Sequence, residues 1–282
     1  MNLGFCGAAL IAVAVLSTSV SAQWPRFQAP GVPRDEKGQV RMDAATPRLA
    51  NGKPDFSGNW VRFRGEGGGA GRGRGAAPAP PPDPGSPPIA TFFELGANLP
   101  GGLPFTPWAA ALRKEREAAN SKENPDANCL PMGITQFHMH GQPRKVLHTP
   151  ELLTLVYEAN YGLRYIYTDG RTLPPQGEPQ PWWYGYSVGR WEGDTLIVDT
   201  NNLRDDGWLD VRGSPLTDQA RITERIRRPA YGKLEIDITI EDPKAYTKPF
   251  TVRVNQQISP DDEPIEFICN ENQQFRRRVK ID

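Results

Sequence analysis

Alternation in one short segment puts a carboxylate where carboxylates are rare. In Arg221-Ile222-Thr223-Glu224-Arg225-Ile226, an extended chain carries Ile222, Glu224 and Ile226 on one face and Arg221, Thr223 and Arg225 on the other. If the isoleucines face an interior, Glu224 goes with them. A buried carboxylate is costly unless it is paired or protonated. Arg164, beside Tyr165, and Arg190, before Trp191, are its candidate partners. Two accounts follow. Glu224 is a catalytic general acid/base or ligand anchor with a raised pKa, or it is half of a structural Glu–Arg pair closing the fold.

His138-Met139-His140 offers a second chemistry. On a strand this spacing sets both imidazoles on one face, a common way to present two metal ligands, with His148 as a third. The surrounding Gly133–Pro143 stretch is turn-rich, and polar loop histidines are the competing account. A third signal is aromatic density. Tyr157, Tyr161, Tyr165, Tyr167, Trp182, Trp183, Tyr184, Tyr186, Trp191 and Trp208 crowd one window. Such rings with polar tips line cavities or stack on sugars, although strands also favour them for packing. If the window is extended, Trp182, Tyr184 and Tyr186 share one side and Trp183 and Trp191 the other. Tyr186, Arg190 and Trp191 join Arg164 as candidate ligand contacts. Asn201, Asn202, Asp205, Asp206 and Asp210 fit no calcium-loop spacing and read as a solvated turn.

Several chemistries are excluded. No Gly-x-Ser-x-Gly elbow, phosphate loop or dinucleotide fingerprint occurs, and nothing names a cofactor. Lys and Arg total 33 against 33 Asp and Glu, so no basic field exists to hold nucleic acid. The partner to expect is a small molecule.

The elements that must position these residues follow from periodicity. Lys233–Glu241 alternates throughout, with Leu234, Ile236, Ile238 and Ile240 on one face, as a half-buried antiparallel strand does. Similar runs are Lys145–Thr149, Leu152–Ala159, Leu163–Thr168, Trp183–Val188, Thr195–Thr200, Arg221–Arg227, Phe250–Ile258 and Ile265–Cys269. Turns at Asp169-Gly170, Glu192-Gly193-Asp194, Tyr231-Gly232 and Pro260-Asp261-Asp262 separate them. The class is mainly β: an antiparallel meander closed as a lipocalin-like barrel, or folded as a two-sheet sandwich, with the barrel favoured. One helix leads it, from Pro107 to Asn120, capped by Thr106. Its Arg113–Glu117 stretch reads as a solvated face.

Upstream, four segments are expected. Residues 1–22 read as a signal peptide, with an apolar run Ala8–Leu16 and small residues before Gln23. Residues 23–64 form a proline-punctuated arm with a short strand at Phe56–Val61. Residues 65–90 form a Pro/Gly-rich disordered linker, and residues 91–282 the β-rich domain. No segment is apolar for the roughly 20 residues a membrane helix needs. Cys6 leaves with the signal, and Cys129 and Cys269 are expected to pair in an oxidising compartment. The protein is thus read as periplasmic or secreted.

A set of motifs runs in order along the chain: Gly52-Lys53-Pro54-Asp55-Phe56-Ser57-Gly58-Asn59-Trp60, Cys129-Leu130-Pro131, Asp169-Gly170-Arg171, Gly189-Arg190-Trp191-Glu192-Gly193-Asp194-Thr195-Leu196-Ile197-Val198-Asp199-Thr200, Thr223-Glu224-Arg225 and Glu241-Asp242-Pro243. In these it resembles a family of exported bacterial proteins whose activity is uncharacterised. The resemblance implies a shared fold and supplies no substrate. The family often carries histidine where this chain has Tyr186 and Leu216, so a histidine chemistry of the family would lack those groups here. Three functions stay open: binding of a small apolar or glycosidic ligand in an aromatic-lined cavity, acid/base chemistry of a hydrolase, lyase or isomerase through Glu224, and a non-catalytic role at the envelope.

Overall fold

Nine strands close into one barrel in the computed structural model, which describes residues 28–63, 85–177 and 180–272. The elements in chain order are β1 (Gly58–Arg62), α1 (Pro107–Ala118), α2 (Ile134–Met139), β2 (Arg144–Thr149), β3 (Leu152–Tyr157), β4 (Leu163–Tyr167), β5 (Tyr186–Glu192), β6 (Thr195–Asn201), β7 (Gly207–Trp208), β8 (Pro215–Leu216), β9 (Arg221–Ala230), β10 (Lys233–Glu241), β11 (Phe250–Ile258) and α3 (Cys269–Asn272). Around the barrel they run β1-β11-β10-β9-β6-β5-β4-β3-β2, and β2 pairs with β1 again, so no edge is left. The hairpin β7–β8 stands apart. The expected signal segment and residues 65–84 of the expected linker lie outside the described residues.

Alternation fills the barrel. Leu155, Ile166, Leu196, Val198, Ile222, Ile236, Ile238, Val252 and Val254 all point inward and are buried, each worth about 1.5–3 kcal/mol of apolar burial. The short strand expected in the arm is β1. It pairs with both β11 and β2, through Trp60↔Ile258 and Trp60↔Arg144. Trp60 is fully buried and donates its indole N–H to the Phe56 carbonyl at 2.8 Å.

Three expectations need correction. The run Ile265–Cys269 is not a strand: with β1 closing the barrel there is no free edge to pair with, and Pro264 precedes it. The strand expected at Trp183–Val188 begins instead at Tyr186, because residues 182–185 turn. Gly185, at φ +62°, makes that turn where an added Cβ would strike the Asn201 carbonyl at 2.5 Å. The meander also breaks once. β4 and β5 pair in parallel, through Ile166↔Ser187 and Tyr167↔Val188, after the long connection from Thr168 to Gly185.

The expected helix is α1, with Thr106 Oγ1 accepting from the Ala109 N–H at 3.3 Å. Arg113 and Arg116 are less solvated than a solvated face would make them. Arg113 leans over Phe105 and Arg116 over Trp208, 5.3 and 4.4 Å from the ring centres. Nothing in the residue pattern foretold α2. Its six residues are poor formers as an isolated helix, yet all six are buried, so tertiary packing rather than propensity makes it. It plugs one barrel mouth beneath β7–β8, with Thr135 and Gln136 side chains donating to the Leu209 and Trp208 carbonyls. Cys129 and Cys269 form the expected disulfide, with Cα atoms 5.5 Å apart.

Candidate functional site

Glu224 faces inward from β9, as parity requires, and is fully buried. Each of its oxygens is engaged. Arg164, from β4, donates Nη1 to Oε1 at 3.1 Å and Nη2 to Oε2. His138, from α2, places Nε2 2.7 Å from Oε1. Arg164 also reaches the hydroxyls of Ser187 and Thr200, at 3.1 Å each from Nη2. Burial alone pushes the Glu224 carboxyl up. The Arg164 charge and the His138 hydrogen bond outweigh that, and hold it down at about 2. The raised pKa that general acid chemistry needs is therefore not found, since its guanidinium partner lies at contact distance. Burial lowers the pKa of His138. Its neutral ring donates from Nε2 to Glu224, leaving Nδ1 as acceptor 3.4 Å from the Gln256 amide nitrogen. Gln256 and Arg144 in turn donate to the His138 carbonyl, at 3.1 and 2.6 Å.

The histidine pair does not present a common face. Residues 138–139 are the last of α2 and His140 is its C-cap, so the two rings diverge. His138 enters the barrel, while His140 packs edge-on to Phe92 and accepts from the Gln142 N–H at 3.2 Å. His148 packs beside both Phe56 and Trp191, accepting from the Phe56 N–H at 3.1 Å. Among the described residues no three His, Cys, Asp or Glu side chains gather as a metal-holding group.

The aromatic window does build a cavity, on the outside of the barrel. Where β4 and β5 part beyond their short parallel contact, a cleft of about 550 Å³ opens, lined chiefly by Tyr165, Tyr167, Trp182, Trp183, Tyr184 and Tyr186. Arg164 and Ser187 form part of its wall, so the Glu224 network stands directly behind it. Tyr165, Tyr167 and Tyr186 stack in series, with centroids 6.4 and 5.4 Å apart. Arg171, of the Asp169-Gly170-Arg171 turn, lies 3.7 Å above the Tyr167 ring and donates to the Tyr186 hydroxyl at 3.0 Å. Asp169 holds that guanidinium in turn, at 2.6 Å.

The far wall is fixed by residues expected to be solvent-facing. Asn201 and Asn202 are buried and donate to the carbonyls of Pro174 and Pro175, at 2.7 and 3.1 Å. The Asn202 amide oxygen accepts from the Gly177 N–H at 2.7 Å. Trp182 bridges to Leu203 through its backbone, donating to the Asn202 carbonyl at 3.0 Å. Asp210, expected in the same turn, is also buried, accepting from Leu95 N–H and the Ser214 hydroxyl. The solvated-turn expectation holds for Asp205 and Asp206 alone.

Of the expected ligand contacts, Arg164 and Tyr186 line the cleft and the other two do not. Arg190 points outward and pairs with Asp199 and Glu192. Trp191 points inward at the opposite barrel mouth, stacked on Phe56 at 5.6 Å with Lys53 above it. Arg171 was missed, although its place after an aspartate-glycine turn beside an aromatic strand was a readable signal. Compared with protein-family models, curated proteins and solved structures, the chain matches none. What the protein does rests on this geometry.

Proposed function

We propose that the protein binds a small molecule with a flat, partly apolar ring face, a sugar or an aromatic compound, in the cleft between β4 and residues 180–187. The observation that carries this is the cleft itself: six aromatic residues around about 550 Å³, within the size range of small-ligand sites. Packing alone would bury such rings. Here Trp182 remains 48% exposed and Tyr165 40%, which leaves faces free for stacking.

Glu224 positions the wall in this reading and transfers no proton. Held anionic by Arg164 and His138, it has no proton to give. Its work is to neutralise and orient Arg164. The Cys129–Cys269 disulfide supports a role outside the cytoplasm, where such bonds persist. Among the described residues no helix is long and apolar enough to cross a membrane.

The test is a titration of intrinsic tryptophan fluorescence with monosaccharides, oligosaccharides and simple aromatic compounds. Trp182→Ala and Tyr165→Ala are each expected to weaken the best ligand by about tenfold, the order of one stacked ring. A ligand whose affinity is indifferent to both substitutions would place the site elsewhere.

A further inference from the structure

We infer that the ligand is an electrically neutral oligosaccharide of two or more rings, lying along the cleft and onward over Gln180 and Pro181. This rests on the cleft being the binding site and narrows what occupies it.

Charge comes first. Every cation at the cleft is matched by an acid: Arg164 by Glu224, Arg171 by Asp169, and Arg204, stacked 4.6 Å from the Trp183 ring, by Asp206 at 3.1 Å. An anionic ligand finds no uncommitted counter-charge in this wall, and desolvating an ion against aromatic rings without one is costly. A cationic ligand would seek the ring faces. Arg171 already covers Tyr167 and Arg204 already covers Trp183, so a cation on the free faces of the neighbouring Tyr165 and Trp182 meets guanidinium charge beside it.

Shape comes second. Gln180 and Pro181 line both the aromatic cleft and a second depression of about 400 Å³, whose other walls are Arg204, Asp205 and Asp206. The two hollows are therefore contiguous and chemically unlike. Lys244 holds both Asp205 oxygens at 2.9 Å, so the second hollow offers donors and acceptors in balanced pairs with no net charge. An aromatic hydrocarbon fills the first hollow and makes no hydrogen bond in the second. A chain of sugar rings suits both: its C–H faces stack on Tyr165 and Trp182, and its hydroxyls bond the Tyr hydroxyls, Gln180 and the paired charges.

Calorimetric titration of the full chain tests this, with neutral glucan, xylan and mannan oligomers of one to six rings, galacturonic acid oligomers and 1-naphthoate as probes. A neutral oligomer should bind tightest, gaining about tenfold or more between one ring and three, in line with added ring stacking. Trp182→Ala should cost every length of that oligomer about tenfold. Arg204→Ala should flatten the gain with length, costing the three-ring oligomer more than the single ring. Tighter, Trp182-dependent binding of the uronate or the naphthoate, or an affinity independent of ring number, overturns the inference while leaving the cleft as the site. Binding that ignores Trp182→Ala for all probes overturns the cleft reading itself.

Discussion

The barrel interior around Glu224 and the outer cleft in front of it share Arg164, yet they are built on opposite rules. Inside, Glu224, Arg164, His138, Ser187 and Thr200 are buried and their hydrogen bonds are made to one another. Outside, Tyr165 and Trp182 keep ring faces in solvent although Arg171 and Asn202 fix the wall that carries them. The difference teaches that an inward charge is not by itself a reactive charge. A saturated network spends its hydrogen-bonding capacity on the fold, whereas unsatisfied ring faces are what a ligand can still cover.

Breaking the interior should be the costlier act. Glu224→Gln strands the Arg164 guanidinium beside a neutral amide, and removal of one partner from a buried pair costs about 3–5 kcal/mol. A denaturant midpoint measures this. The same change also sharpens the comparison. Arg164 forms part of the cleft wall, so its uncompensated charge should shift the cleft's preference from neutral probes toward anionic ones such as naphthoate. A variant of unchanged stability would mean that Glu224 is not held by Arg164 in the folded state.

The disulfide provides a control far in sequence from the network's strands. Cys129 and Cys269 are separated by 140 residues, and loss of such a bond typically costs about 2–5 kcal/mol. Cys129→Ser with Cys269→Ser should lower the melting temperature. Cleft affinity, measured well below the transition, should not move. Loss of affinity in step with stability would tie the bond to the ligand site and blur the division between frame and cleft.

Acid separates the two regions more gently. Burial depresses His138 and His140 below the ordinary histidine value, and Arg164 and His138 hold Glu224 down at about 2, below the ordinary glutamate value. With folded values depressed, the unfolded chain takes up protons first, so stability falls as pH falls. The decline should begin near the unfolded histidine pKa of about 6.5 and steepen below the unfolded glutamate value of about 4.3, at up to ~1.4 kcal/mol per pH unit for each extra proton bound. Denaturant midpoints at neutral, mildly acidic and strongly acidic pH trace it. A neutral probe should keep its affinity wherever the chain remains folded, since the cleft's aromatic rings take up no proton in acid and Glu224 behind them stays ionised down to about 2. A flat stability profile would show that Glu224 is not held ionised.

Much of this was legible in the sequence, and what was not has a physical reason. Period-two alternation in 221–227, 233–241 and 250–258 is local information, so the strands and the inward Glu224 could be read directly. The Arg164 partner was among the candidates for the same reason. α2 was hidden because its stability comes from burial between elements far apart in sequence. The metal expectation for His138 and His140 leaned on the extended geometry that this helix replaces. The β4–β5 parallel contact was hidden too, since strand direction after a long connection is not written in periodicity. That contact opens the cleft, and so the aromatic window was visible while its shape was not.

Arg190 offers the smallest expected effect and the most exacting test of where the cleft ends. On β5, Tyr186, Val188 and Arg190 alternate outward while Ser187 and Trp191 turn in, so Tyr186 and Arg190 share a face. Four residues of strand separate them, roughly 13 Å. The Arg190 side chain is 58% exposed, and pairs with Asp199 and Glu192 on that surface. Exposed pairs of this kind contribute about 0–1 kcal/mol, so Arg190→Ala should barely change the denaturant midpoint. Its effect on ligand affinity should be smaller than twofold, a few tenths of a kcal/mol, because the lining stops at Ser187. A loss as large as that of Trp182→Ala would carry the binding surface along the whole outer face of β5, and a ligand reaching that far could not be confined to the hollow between β4 and residues 180–187.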